Sequence, residues 1–460
     1  MSTNAPVAAG VTDAGVAPPV GDGPGRPSAL TAGNWGVVRL YLRVDSVRLV
    51  VWAAGVVGLV VVSAASLKGL YPDETSIAEY VALVNLSPNM GVVNRAFNGP
   101  GFGFDQPNIG VVLVNEVALW GTIAFALMAV FQMSRHTRAE EEAGRTELLR
   151  SRLVGRYAPL VAAGIGVVVL ELLVGVVVLG ALVMLGFGIV GSAALCAGYV
   201  AAGLVFGATT ALGAQLVGTA RAATGLGVAS VGLAFVLRAI GDVGSGWASW
   251  ASPIGWVHRL RPFAGERWWV LALFVGTVLV VSTLTVLLFE RRDLGAGMFA
   301  VRPGPAHASP WSLDPTGLIL RLQRGSLVGW SAGLFVLGLV YGLVGSDVEQ
   351  MFADNPDMER FITLDGPSVT DSYLSYTLVL GAMMAGGFAI SSVLRLRGEE
   401  SAGRLELVLS RPVGRVATLG RHLAVALGGT VAVLVASGLG TGIGISIALS
   451  DVGQVPRMVA

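Results

Sequence analysis

Ionisable side chains are scarce in the apolar stretches of this chain, and the few that interrupt them are where chemistry could reside. Glu171 falls mid-way along one long apolar run, Glu116 in the outer part of another and Arg238 near the outer end of a third. A charge in hydrocarbon is costly, so such residues are expected to face a water-filled pathway or one another. Glu171 would line such a pathway and favour cationic or hydrogen-bonding molecules, or else form a structural ion pair with Arg238. Other chemistries find no residues to carry them. Cys196 stands alone, and His136, His258, His307 and His422 share no ligand-like spacing. A phosphate-cradling loop requires Gly-Lys-Ser/Thr, whereas the only lysine, Lys68, is followed by Gly69.

The densest charge lies in a cassette that occurs twice. RAEEEAGRTELLRSRLVGR spans Arg138 to Arg156, and RGEESAGRLELVLSRPVGR spans Arg397 to Arg415, 259 residues later. Thirteen of the nineteen aligned positions are identical. They include Arg138/Arg397, Glu140/Glu399, Glu141/Glu400, Gly144/Gly403, Arg145/Arg404, Glu147/Glu406 and Leu148/Leu407. Thr137 and Glu140 have capping-box spacing, and Glu141 with Arg145, like Glu400 with Arg404, has the i,i+4 spacing of a helical ion pair. Leu148 and Leu149, or Leu407 and Val408, add an apolar face, and Pro412 kinks the second copy. A short helix with a charged and an apolar face suits docking into a partner's groove. An ordinary charged loop would not need to keep thirteen residues in two copies.

The elements that position these residues follow from composition. The chain is 54% hydrophobic and 13% charged, about half the charged fraction of a soluble domain. Crossing about 30 Å of hydrocarbon takes about 20 apolar residues. Nine runs qualify: 49–67, 109–133, 158–186, 191–218, 222–241, 268–289, 327–345, 373–394 and 423–449. The fold class is therefore an all-α polytopic membrane protein. A second repeat, Arg43 followed by Leu49-Val50-x-Trp52-x-Ala54-Gly55, matches Arg321 followed by Leu327-Val328-x-Trp330-x-Ala332-Gly333. Two fused halves of six spans each are expected. The second half stops after its third span, and the repeat predicts its completion near residue ~549, for about twelve spans.

Residues 1–33 read as a disordered tail. Residues 34–290 form the first half, with an interfacial helix over 35–48 and a cassette helix over 137–156. Residues 291–325 are a linker with a second interfacial segment, and 326–460 form the second half with a cassette helix over 396–415. Arginines cluster in the cassette connections, while the acidic group Asp347, Glu349, Asp354, Asp357, Glu359, Asp365 and Asp371 lies in an opposite one. That bias places the cassettes and the N-terminus in the cytoplasm, with the chain multi-pass in the cytoplasmic membrane. The Trp- and Pro-rich stretch 241–269 falls on the outer side, as an interfacial belt or re-entrant element.

With its E-E-x-A-G-R-x-E-L cassettes, the chain resembles actinobacterial ABC-2-type permeases that export polyketide antibiotics (tetronasin-type). SPIGWVHRLRPFAGERWW from Ser252, RRDLGAGMFAVRPGPA from Arg291 and LRLQRG from Leu320 share the likeness, which covers about residues 35 to 450. The resemblance implies two fused six-span halves of type V exporter kind. It implies that the cassettes are coupling helices seated on a separately encoded ABC ATPase, in two copies, which binds ATP and Mg. Hydrophobic or amphipathic small molecules would be the cargo and membrane lipids the surroundings. No cofactor is expected in this chain, and no nucleic acid. A gradient-driven multidrug transporter and an exporter of lipid or cell-envelope material are the alternatives.

Overall fold

In the computed structural model the described residues are 33–85, 88–151, 154–293, 295–299, 307, 314–345, 369–401, 403–410, 414–451 and 453–459. The first half runs through α1 (Asn34–Val44), α2 (Ser46–Leu70), α3 (Glu74–Val84), α4 (Pro88–Phe97), α5 (Ile109–Ser134), α6 (Glu140–Glu142) and α7 (Arg145–Arg150). It continues through α8 (Ala158–Met184), α9 (Ile189–Leu216), α10 (Ala220–Val243), α11 (Pro253–Arg259) and α12 (Leu271–Arg291). The second half contains α13 (Pro315–Val344), α14 (Val369–Ser401), α15 (Arg404–Leu409), α16 (Arg415–Leu449) and α17 (Gln454–Val459). Among the described residues, nine helices are long and apolar enough to cross a bilayer, and they overlap the nine apolar runs. The chain is an all-α polytopic membrane protein.

Helix starts follow local capping chemistry. Asn108, Thr219 and Ser252 each accept a backbone N–H from the first turn of α5, α10 and α11, satisfying donors that have no intrahelical acceptor. The first half is built around α5 and α9. The most apolar stretches of these two are 72% and 61% buried, against 17% for α2 and α12, so the latter pair is peripheral. Leu113, Val117, Phe125, Leu195, Tyr199 and Ala202 form the centre of the core. In the Trp-rich stretch, α11 buries Ile254, Trp256, Val257 and His258, while Trp247, Trp268 and Trp269 stay exposed. His258 Nε2 donates to the Asn98 carbonyl at 2.8 Å. Burial, helped by Arg238, pulls its imidazole down to about 3, so it is neutral here.

Several local expectations need correction. Residues 35–48 are not one interfacial helix, because α1 stops at Val44 and Asp45 turns the chain into α2. Asp45 holds that corner through Arg135 at 2.5 Å, while the His136 ring, 3.1 Å from the same carboxylate, stacks on Tyr41 at 4.1 Å. Burial raises the Asp45 carboxyl, but the hydrogen bond and charge of Arg135, with His136 and Arg48, outweigh it and hold it below its ordinary range. Among the described residues the second half has no break of this kind. There α13 runs unbroken from Pro315, capped by Asp314, whose carboxylate accepts the Thr316 and Gly317 amides. The tail 1–32, most of the linker before Asp314, Pro412 and the acidic residues Asp347 to Asp365 lie outside the described residues.

In the second half, α13 and α16 pack backbone against backbone. A Cβ at Gly440 would lie 2.0 Å from the Phe335 carbonyl oxygen, and one at Gly444 would lie 2.2 Å from that of Leu339. Small residues permit this approach, and dispersion is the attraction it serves in lipid. The first-half positions aligned with Gly440 and Gly444 are Ala181 and Leu185, so this contact belongs to one half. Gly440→Val is expected to cost about 1–3 kcal/mol by overpacking and to lower the thermal midpoint of the purified protein. Gly428→Val, where a Cβ meets nothing within 4 Å, should leave the midpoint within about one degree.

Candidate functional site

Both cassettes fold as the same elbow. Helix α5 does not stop at the first cassette but continues through a π-helical turn, Arg135–Ala139, into α6. The expected Thr137–Glu140 capping box is absent because no helix begins there, and the Thr137 hydroxyl donates to the Met133 carbonyl at 2.6 Å. Ala143 and Gly144 then turn the chain into α7, with Gly144 at φ +70°. In the second copy, α14 runs to Ser401, Gly403 takes φ +69°, and α15 follows. A side chain with a Cβ is disfavoured at that φ, so glycine at both corners is a backbone requirement.

The elbow reassigns the expected ion pairs. Arg145 reaches back past the corner to Glu140 with Nε at 2.6 Å and Nη2 at 2.9 Å, a bidentate pair. Arg404 likewise reaches back past its corner to Glu399, with Nε at 2.5 Å. Glu141 and Glu400 instead take Arg138 at 2.8 Å and Arg397 at 2.9 Å, three residues earlier. Thus neither Glu141–Arg145 nor Glu400–Arg404 forms. The i,i+4 rule presumes one continuous helix, and the left-handed glycine breaks that continuity before the arginine.

The environments of the two elbows differ. Arg138 and Glu141 are 1% and 8% exposed, whereas Arg397 and Glu400 are 77% and 57% exposed. Arg138 Nη2 donates to the Gly218 and Gly295 carbonyls at 2.7 Å each, and Nη1 to that of Ala296 at 3.1 Å. On the other side of Glu141, Arg292 Nη1 donates to Oε2 at 2.9 Å and Nη2 to Oε1, while Nε donates to Gln215 Oε1 at 2.6 Å. Beyond it, the Met298 and Phe299 amides bond the Gln215 and Leu216 carbonyls at 3.0 and 2.9 Å. Glu142 accepts the Ala220 amide at the start of α10 at 2.8 Å, where a helix N-terminus favours negative charge. The exposed face therefore consists of Arg145, Glu147 and Leu148, the last 71% exposed. In the second elbow Arg404 and Glu406 are exposed, and the Leu407 side chain lies outside the described residues.

Residues 313–460, which contain the second elbow, match the family described as multidrug efflux system permease Rv1217c, C-terminal domain. Over 442 residues the chain is 38% identical to the multidrug efflux system permease protein Rv1217c of Mycobacterium tuberculosis. That alignment covers 95% of this chain and 79% of the relative. The chain belongs to this permease family. An alignment of that extent in 460 residues includes both elbows.

In this permease, Glu171 and Arg238 do not pair. Arg238 lies 3.6 Å from Asp242, one turn along its own helix, and donates to the Ala96 carbonyl. Glu171 is fully buried beside Gly203 of α9, where an added Cβ would come within 2.3 Å of its Oε2. Neither Glu171 oxygen has a hydrogen-bond partner among the described residues. Glu116 sits at the far end of the permease from the elbows, accepting the Tyr80 hydroxyl at 2.5 Å and Asn98 Nδ2 at 3.3 Å. The three residues expected to mark one pathway thus occupy three separate settings.

Arg292 and Gln215 were not among the sequence candidates. The first lies within the distinctive RRDLGAGMF segment, but its partner Glu141 is 151 positions away, and no local spacing reveals the contact. Arg292→Gln removes the hydrogen bonds to Glu141 and Gln215 while Glu141 keeps Arg138, and is expected to cost the permease about 1.5–3 kcal/mol. The equivalent step at the exposed pair, Arg397→Gln, should cost under about 1 kcal/mol. Thermal unfolding of the purified variants compares the two; equal losses would refute the distinction.

Proposed function

We propose that this chain is the membrane-spanning permease of an ATP-driven ABC-2-type exporter of hydrophobic or amphipathic compounds, with both elbows seated on a separately encoded ATPase dimer. One observation carries the reading: the same elbow is built twice, with matching corner glycines and matching crossed ion pairs, 259 residues apart. A two-fold ATPase presents two equivalent grooves, and a fused pair of elbows supplies two equivalent plugs. The basic connections support a cytoplasmic setting for the elbows, where ATP is available. The relative's name supports efflux as the direction and drugs as cargo; the cassette likeness supports the antibiotic-exporter branch.

Mechanically, the first elbow is a rigid handle. Pressure on Glu147 and Leu148 passes through Glu141 to the ends of α9 and α12, because Arg292 and Gln215 bind those ends to the cassette. ATP-driven closure of the partner would then tilt the halves against each other and open the pathway outward.

Glu171 favours a second reading, a carrier driven by an ion gradient. A fully buried carboxyl with no hydrogen-bond partner and no paired cation among the described residues is what a proton-carrying site in a span would present. Everted membrane vesicles containing the full transporter separate the two. Under the ATPase reading, dye accumulation requires ATP, is abolished by vanadate and survives an uncoupler. Accumulation lost to the uncoupler and insensitive to vanadate would establish the second reading instead. Leu148→Asp with Glu406→Arg should reduce the ATP-driven rate at least about tenfold at unchanged permease abundance.

A further inference from the structure

A cavity of about 580 Å³ opens between α8, α9 and α12 of the first half, within the ~300–1,000 Å³ of drug-sized sites. Val161, Val167, Leu204, Ala208, Val278 and Val286 make its walls apolar. At the elbow end the lining becomes polar, with Tyr157 just after the first cassette and Glu290 near the end of α12. The Tyr157 hydroxyl donates to Glu290 Oε1 at 2.5 Å, and Arg156 Nη2 donates to the Glu290 carbonyl at 3.2 Å. Glu290 is the one charged side chain among the lining residues.

We propose that this cavity binds amphipathic amines, with the apolar body among α8, α9 and α12 and the ammonium at the Glu290 carboxylate. Charge complementarity selects the occupant. The Arg156 guanidinium flanks Glu290, 5.9 Å from the Phe289 centroid, but is not among the lining residues, so the charge the cavity itself presents is the Glu290 carboxylate, which repels a phosphate and attracts an ammonium. The polar end also adjoins the first elbow. Tyr157 and Phe289 have ring centroids 5.6 Å apart, and the Arg292 guanidinium lies 5.6 Å from the Phe289 centroid. Arg292 in turn holds Glu141. A ligand head at Glu290 thus borders the network that fixes the elbow. The role of the ligand as cargo rests on the efflux reading; its binding does not.

Two variants test the site on the full chain in lipid nanodiscs, without any ATPase. Glu290→Gln keeps an acceptor for Tyr157 but removes the charge. Gly164→Phe projects into the cavity from a position where a Cβ meets nothing within 4 Å. Equilibrium dialysis of tetraphenylphosphonium, corrected for empty nanodiscs, reads cation binding, and diphenylhexatriene serves as an uncharged apolar probe. Glu290→Gln is expected to weaken the cation about fivefold and to leave the uncharged probe unchanged. Gly164→Phe should weaken both at least about tenfold by filling the space. Wild-type affinity for the cation in both variants would overturn the proposal. So would native mass spectrometry in which Gly164→Phe sheds a bound phospholipid while cation binding is unchanged. Because no ATP or transport enters this assay, its failure removes this site and leaves the efflux reading to the vanadate experiment.

Discussion

One buried carboxylate, Glu141, organises the cassette end of the first half. Arg138 and Arg292 approach it from two sides, and their other bonded donors end on the Gly218, Gly295 and Ala296 carbonyls and the Gln215 side chain, while Arg138 Nε has no hydrogen-bond partner among the described residues. Two guanidiniums can share one carboxylate in a dry setting because carbonyl dipoles satisfy the excess donors. Glu141 is the member both guanidiniums depend on: without it two buried cations would face each other with no carboxylate between them. Its consequence is geometric. The end of α5, the end of α9 and the segment after α12 meet at one point, so the first elbow cannot shift without carrying three helix ends.

The second elbow shows what the duplication kept and what it released. Its corner glycine and both internal ion pairs match those of the first, yet Arg397 and Glu400 are exposed where Arg138 and Glu141 are buried. The internal pairs shape the elbow; the surrounding network sets how firmly it is held. The halves diverge in the membrane as well. Close backbone packing of α13 on α16 depends on glycines that the first half does not share. Likewise, Glu171 and Glu116 have Thr430 and Ser375 at their aligned positions. The repeated device is the elbow, and the spans around it have specialised.

Much of this was legible in the sequence for physical reasons. A helix must satisfy its own backbone in lipid, so nine apolar runs gave nine candidate spans. The cassettes stood out because charge is costly near hydrocarbon and repetition is not accidental. Legibility failed where partners are remote or where a helix does not behave ideally. A π-helical turn carried α5 past the point where Thr137 and Glu140 would have capped a new helix. A left-handed glycine moved Arg145 from Glu141 to Glu140. Arg292 was hidden by 151 intervening residues. Arg238 found its partner, Asp242, along its own helix rather than across to Glu171.

The account centres on the two elbows as equivalent contacts with one ATP-binding partner. Glu147 and Glu406 occupy aligned, exposed positions on them, so a photoreactive side chain placed at each in turn samples both contacts in native membranes. The account predicts that both positions crosslink to the same ATP-binding subunit, with similar yield. Adducts to that subunit from neither position, or from one alone, would contradict it.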